Sequence, residues 1–251
     1  MAEEKPQVGR REFLSGVGVA GAAAAAALAP VAPAQAQVAQ PPVVQAAAPA
    51  APASAARLPD GYMYLHPQEA QFVEAVVDHM VPKDELTPSG TDMGIATFID
   101  RALAGSWGKG DRLFQQGPWG KGTANQGYQL PFAPAGLYRA AIEGSNAYCR
   151  KTFGRTFDQC IADQKETFLK DLAAGKITLL SGLPGRAFFD VLYQNVMEGM
   201  FSDPIYGGNR DKVGWKMLGF PGVYANNAEN IKKFSDGRRF VTEPTSIADM
   251  S

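Results

Sequence analysis

Histidine and cysteine are almost missing from this chain, with two of each in 251 residues. Metal centres draw on those side chains first, so a zinc or iron site built from this chain alone is not expected. There is no Cys-x-x-Cys-His run to attach haem. No G-x-G-x-x-G follows a strand pattern and no Walker loop is present, so nothing marks a nucleotide or a bound flavin. No serine stands in a nucleophile motif. Charge of one sign is lacking too: 24 Lys and Arg face 25 Asp and Glu, interspersed, with no basic face for nucleic acid. A membrane span needs roughly 20 apolar residues, and the mildly apolar run Val17 to Ala29 is too short and too weak. Finally, no run alternates apolar with polar residues, so no sheet is expected.

What is present begins at the N-terminus. Arg10 and Arg11, then Phe13 and Leu14, precede the Ala/Gly-rich stretch that Pro30 and Pro33 end. A basic start, a short apolar core and small residues at the exit make an export signal. The paired arginines point to the twin-arginine route, which carries folded proteins. Ala34-Gln35-Ala36 offers a cleavage site, which makes residues 1–36 the signal. Residues 37–57 are Ala, Pro, Gln and Val with almost no charge. Such a segment buries too little apolar surface to offset its ordering entropy and reads as a disordered tether. Residues 58–251 then form the folded domain.

Within that domain the periodicity is helical. Phe72, Val73, Val76, Val77 and Met80 share a stripe between His66-Pro67 and Pro82. Met93 to Leu103 forms a second helix. Leu137–Lys151 and Phe157–Ala173 form an antiparallel pair, the latter with Phe157, Ile161, Phe168 and Leu172 on one side. After Pro184, Phe188, Phe189, Leu192, Tyr193, Val196, Met197 and Met200 make the widest apolar face. The expected fold is all-α, an irregular helical bundle with long Gly/Pro/aromatic-rich loops. The longest of these, 105–134, has the length of a loop that is functional or wraps a partner.

Three features remain. His66 and His79 sit at a helix start and beside an apolar stripe, where structural roles are expected. Cys149 and Cys160 lie either side of a four-residue connection. A disulfide is expected in an exported protein, with two reduced core thiols as the alternative. Gly207-Gly208-Asn209 reads as a tight turn rather than a phosphate cradle. Around it, Phe201 to Tyr224 is dense in Gly, Pro and aromatics. Tyr206, Trp215, Phe220 and Tyr224, beside Asn209 and Arg210, have the make-up of interface anchors or, equally, of a packed cap on the bundle.

At this segment the sequence resembles the gluconate 2-dehydrogenase subunit 3 family. The resemblance rests on Asp203-Pro204, Tyr206-Gly207-Gly208-Asn209-Arg210-Asp211, Gly214-Trp215-Lys216 and Gly219-Phe220-Pro221-Gly222. Val81-Pro82 with Asp84, Phe98-Ile99-Asp100, Gly117-Pro118-Trp119 and Gly127-Tyr128-Gln129-Leu130-Pro131 agree with it, while the tail after Asn226 adds nothing. It implies a non-catalytic small subunit with no cofactor of its own. Its partners would be a large FAD-dependent dehydrogenase subunit, a multihaem cytochrome c subunit and, transiently, the twin-arginine translocase. The complex would oxidise a sugar acid or polyol in the periplasm, peripheral on the inner membrane, with FAD and haem c in the partners. The partner-interface candidates are Trp119, Tyr128, Tyr206, Asn209, Arg210, Trp215, Phe220 and Tyr224; no catalytic residue carries over. Two other readings use the Tyr206–Tyr224 segment: a free-standing periplasmic enzyme, or a sugar-binding module that stacks a ligand on its aromatics.

Overall fold

A computed structural model describes residues 61–250, apart from 121, 124, 125, 127, 128 and 225. The export signal with Arg10, Arg11, Phe13 and Leu14, the tether 37–57 and Tyr128 lie outside the described residues. Eight α-helices run through the described residues: α1 Pro67–Met80, α2 Ile95–Ala104, α3 Ser106–Lys109, α4 Pro134–Phe153, α5 Ala162–Ala173, α6 Gly185–Phe201, α7 Val213–Leu218 and α8 Ala228–Phe234. Five short 3₁₀ turns connect them. No strand occurs among the described residues, only two isolated bridges. The fold is all-α, as the periodicity required.

The helices start where their sequences say they should. Pro67 opens α1 and Pro134 opens α4, because proline lacks only an N–H that has no partner there. His66 precedes α1, and its backbone N–H is accepted by Glu69 at 2.9 Å. Gly154, at φ 75°, ends α4 in the left-handed conformation that costs glycine least.

Aromatic packing ties the bundle together. Phe72 of α1 lies 4.9 Å from Phe157 and 6.4 Å from Phe188 of α6, ring centre to ring centre. Phe157 packs on Phe168 of α5 at 5.5 Å, and Tyr138 of α4 meets Phe188 edge-on at 5.5 Å. All five side chains are fully buried. The Tyr138 hydroxyl donates to Asn195 Oδ1 at 2.8 Å, so the one polar atom of the cluster is satisfied. A second fixed point is Asp100 of α2, also fully buried. Its carboxylate accepts the backbone N–H groups of Met63, Tyr64 and Leu65 at 2.7, 2.9 and 2.9 Å. That pins the approach to α1 against α2.

Three expectations need adjustment. The helix expected over Phe157–Ala173 is broken: Phe157–Gln159 is a 3₁₀ turn, and Cys160 and Ile161 are extended before α5 begins. Ile161 therefore stands outside the helix register and is exposed, while Phe157, Phe168 and Leu172 are buried. The turn lets Phe157 enter the core from the chain reversal, where a continuous helix would carry it away. In α6 only Phe188, Leu192 and Val196 of the expected apolar face are buried; Tyr193 and Met197 face solvent. The 105–134 loop opens with α3, where a Cβ on Gly108 would fall 1.9 Å from the Leu103 carbonyl oxygen, so glycine is required for that sharp turn.

The contrast along α6 is measurable. Phe188→Ala should lower stability by roughly 3–5 kcal/mol, whereas Tyr193→Ala should change it by less than about 0.5 kcal/mol. Urea unfolding of both variants checks this.

Candidate functional site

The segment after α6 folds into a small platform because its polar groups close on one another. Asp203 Oδ1 accepts the Ile205 N–H at 3.0 Å, capping the Pro204–Tyr206 turn. Asn209 is fully buried, with a left-handed backbone at φ 47°, a conformation asparagine tolerates better than most residues. Its side-chain NH₂ donates to the Ser202 carbonyl at 2.9 Å, and its Oδ1 accepts the Gly214 N–H at 2.8 Å. One side chain thus closes the loop from the end of α6 to the start of α7. Trp215 is buried as well; its indole N–H donates to the Phe201 carbonyl at 2.7 Å and its ring meets Phe220 at 5.3 Å.

Close backbone approach dictates the glycines. A Cβ on Gly208 would lie 2.2 Å from the Gly199 oxygen, and one on Gly214 would lie 2.3 Å from the Met200 oxygen. Gly94, just before α2, faces the Gly207 oxygen at 2.2 Å on the same construction. The Arg210 N–H donates to the Met93 carbonyl at 2.9 Å. The platform is therefore seated on the ends of α2 and α6, and Gly207-Gly208-Asn209 is the tight turn expected.

The C-terminal residues clasp the platform. Asp203 Oδ2 accepts the Ile247 N–H at 2.9 Å. Val223 donates to the Thr245 carbonyl at 2.8 Å, and Thr245 donates to the Pro221 carbonyl at 3.0 Å. Lys212 donates to the Pro244 carbonyl at 3.0 Å and pairs with Asp249. Hydrogen bonds from Lys212 and from the Ser246 N–H hold the Asp249 carboxyl below the usual carboxylate range. Sequence reasoning missed this strap, since it has neither helical period nor motif; its grip is mostly backbone.

The interface candidates divide by exposure. Tyr206 and Phe220 are 56% and 45% exposed, with Met217 and Leu218 of α7 also open to solvent. Arg210 is exposed. Tyr224 is half-buried against Phe240, with ring centres 6.2 Å apart. Trp119 is 38% exposed on the long loop, together with Leu113 and Phe114, which sequence reasoning passed over. Asn209 and Trp215 require correction: both are buried and bonded within the chain, so they build the surface rather than present it. A free-standing enzyme site made of Tyr206, Asn209, Arg210 and Trp215 would have two of its four members, Asn209 and Trp215, in the interior.

The cysteines need a correction too. Cys149 and Cys160 come together at the chain reversal as expected, but as two buried free thiols, not as a disulfide. Phe157 takes the turn into the core and leaves Cys160 in extended backbone beside the end of α4. Burial, with Cys160 alongside, pushes the Cys149 thiol up to about 12. His66 caps α1 and His79 of α1 bonds Glu166 of α5 at 2.8 Å, both structural roles. Among the described residues no group of three His, Cys, Asp or Glu could hold a metal ion.

A family model described as Gluconate 2-dehydrogenase subunit 3 matches residues 67–222, well over half of the chain. It spans the bundle and the platform, and stops before α8 and the strap. No curated protein and no solved structure matches.

Two expectations follow for the site. Asn209→Ala should cost about 3 kcal/mol, because it leaves the buried Gly214 N–H and Ser202 carbonyl unpaired. Asn209→Gly, free of left-handed strain, should cost nearly as much if the bonds dominate; thermal melting of both variants checks it. The thiols give a pH dependence: the folded pKa of Cys149 lies above its ordinary 9.0, so its contribution is complete below about 9 and lost as pH rises towards 12. Equilibrium unfolding across that range, with a Cys149→Ala control lacking the slope, checks the sign.

Proposed function

The chain belongs to the gluconate 2-dehydrogenase subunit 3 family, and from that premise we propose that it is the non-catalytic small subunit of a membrane-associated, FAD-dependent sugar-acid or polyol dehydrogenase. A member of a subunit family works within a multi-subunit complex. In this reading it stabilises the large flavoprotein subunit and escorts it, already folded, through twin-arginine export to the periplasm. A multihaem cytochrome c subunit then takes the electrons, and FAD and haem c reside in the partners.

The observation that carries the reading is the division of labour within the platform. Asp203, Asn209 and Trp215 bond inward, while Tyr206 and Phe220, with Met217 and Leu218, stand exposed on it, as do Arg210, Asp211 and Lys216. A surface already locked by its own bonds loses little conformational entropy when it is covered, and large aromatics at its centre are the usual source of binding energy. Gly207, Gly208, Gly214 and Asn209 thus serve recognition indirectly, by fixing where Tyr206 and Phe220 stand. Exposed Phe114 and Trp119 offer a second contact from the long loop.

The test is recovery of the tagged chain from membranes of its own host, with flavin absorbance and mass spectrometry on the eluate. A co-purifying flavoprotein of oxidoreductase size supports the reading, and its sequence would identify the substrate. A flavin-free monomer recovered alone would sink it. Replacing Tyr206 and Phe220 together by Ser should weaken capture of the flavoprotein by at least tenfold, since a single interface anchor contributes about 2 kcal/mol, without lowering the melting temperature of the free chain. Arg10→Lys with Arg11→Lys should leave the flavoprotein in the cytoplasm, read by fractionation.

A further inference from the structure

Beyond residue 222, where the family match ends, the chain forms a small lobe, whose Phe240 also packs on Tyr224. Helix α8 and the returning segment 237–241 pack through Phe234 and Phe240, with ring centres 5.0 Å apart. Over these rings lies an open hollow of about 360 Å³, walled by Ile231, Phe234 and Phe240 and edged by Asn227, Asn230 and Ser235. Ile231 and Val241 at the two ends of the lobe are 65% and 75% exposed.

The charge on this lobe is one-sided. Across the lobe Lys232, Lys233, Arg238 and Arg239 stand against the two carboxylates of Glu229 and Asp236, in a chain whose overall charge is close to zero. All four cations are exposed. Lys233 reaches Glu229 at 3.5 Å and Arg238 reaches Asp236 at 2.8 Å, whereas Lys232 and Arg239 form no ion pair among the described residues. Arg238 also lies over the Phe234 ring at 5.9 Å.

We infer that the 231–241 lobe is a docking surface for an anionic phospholipid leaflet. Exposed aliphatic residues interleaved with Lys and Arg suit the boundary between headgroups and acyl chains, where cations meet phosphates and apolar side chains enter the glycerol layer. Long cationic side chains can reach outward while their stems lie on apolar surface; Lys232 and Arg239 are exposed and outside the ion pairs that hold Lys233 and Arg238. An acidic protein would satisfy the cations but leave Ile231, Val241 and the open apolar hollow without a reason to coexist with them. No helix among the described residues is long and apolar enough to cross a membrane. The lobe would orient the chain on the membrane by residues other than Tyr206 and Phe220.

The experiment is flotation of the full chain with vesicles of phosphatidylcholine alone or with about one third phosphatidylglycerol. The chain should float with the anionic vesicles at 0.1 M salt and be released at 1 M, as the screening length falls from about 10 Å to 3 Å. Each cation near the leaflet strengthens binding by about fivefold. Lys232→Gln with Arg239→Gln, which leaves both ion pairs intact, should therefore weaken it by about 25-fold with unchanged melting. The fourfold variant that adds Lys233→Gln and Arg238→Gln should abolish it. Absence of flotation, equal flotation with neutral vesicles, or an unaltered double variant would each overturn the inference.

Discussion

The buried ring cluster centred on Phe72 is the constraint on which the rest of the molecule depends. Phe72, Phe157, Phe168, Phe188 and Tyr138 come from α1, α4, α5, α6 and the turn before α5. Each ring buries a large apolar area and prefers tilted or edge-on neighbours, so the cluster fixes helix orientations as well as holding the helices together. Phe157 has the sharpest consequence. Its place in the cluster converts the start of an expected helix into a 3₁₀ turn, exposes Ile161 and brings Cys160 beside Cys149. Through Phe188 the same cluster fixes α6, whose last turn supplies the carbonyls of Gly199, Met200 and Phe201 on which the platform is built.

The platform shows how a polar, glycine-rich loop becomes rigid. Buried hydrogen-bonding groups must find partners, and here Asn209, Asp203 and Trp215 find theirs in the backbone. Glycine at 94, 208 and 214 permits approaches that any Cβ would block. With Asp203, Asn209 and Trp215 turned inward, Tyr206 and Phe220 are left on the surface together with Arg210, Asp211 and Lys216. This arrangement suits a subunit whose task is to be covered by another protein. It also explains why residues that look alike in the motif have opposite fates: Trp215 is structural foundation, while Phe220, against its ring, remains open.

The strap and the lobe that precedes it extend the matched region in different ways. The strap binds the platform through backbone pairing and through Asp203 and Lys212, so Asp203 caps a turn and holds the C-terminus with the same carboxylate. The lobe packs chiefly on its own rings and leaves its cations outside. Asn209 and Trp215 bond the platform's own backbone, whereas all four cations of the lobe are exposed.

The helical class, the approximate limits of α1, α2, α4 and α6, the tight turn at Gly207-Gly208-Asn209 and the family were legible in the sequence. They follow from local periodicity, from proline and glycine punctuation, and from a motif of contiguous residues. Which motif residues point inward was not legible, because Asn209 and Trp215 are distinguished from Tyr206 and Phe220 only by which carbonyls and N–H groups lie nearby. Nor could spacing reveal the solvent side of α6, since Tyr193 and Leu192 differ only in which neighbouring helix covers them. The strap was invisible because backbone pairing leaves no mark on side-chain composition. By itself, then, the sequence determined the helices, the scarcity of metal-ligating residues and the family. Tertiary structure alone decided which aromatics are foundation and which are surface, because burial depends on packing between segments distant in the chain.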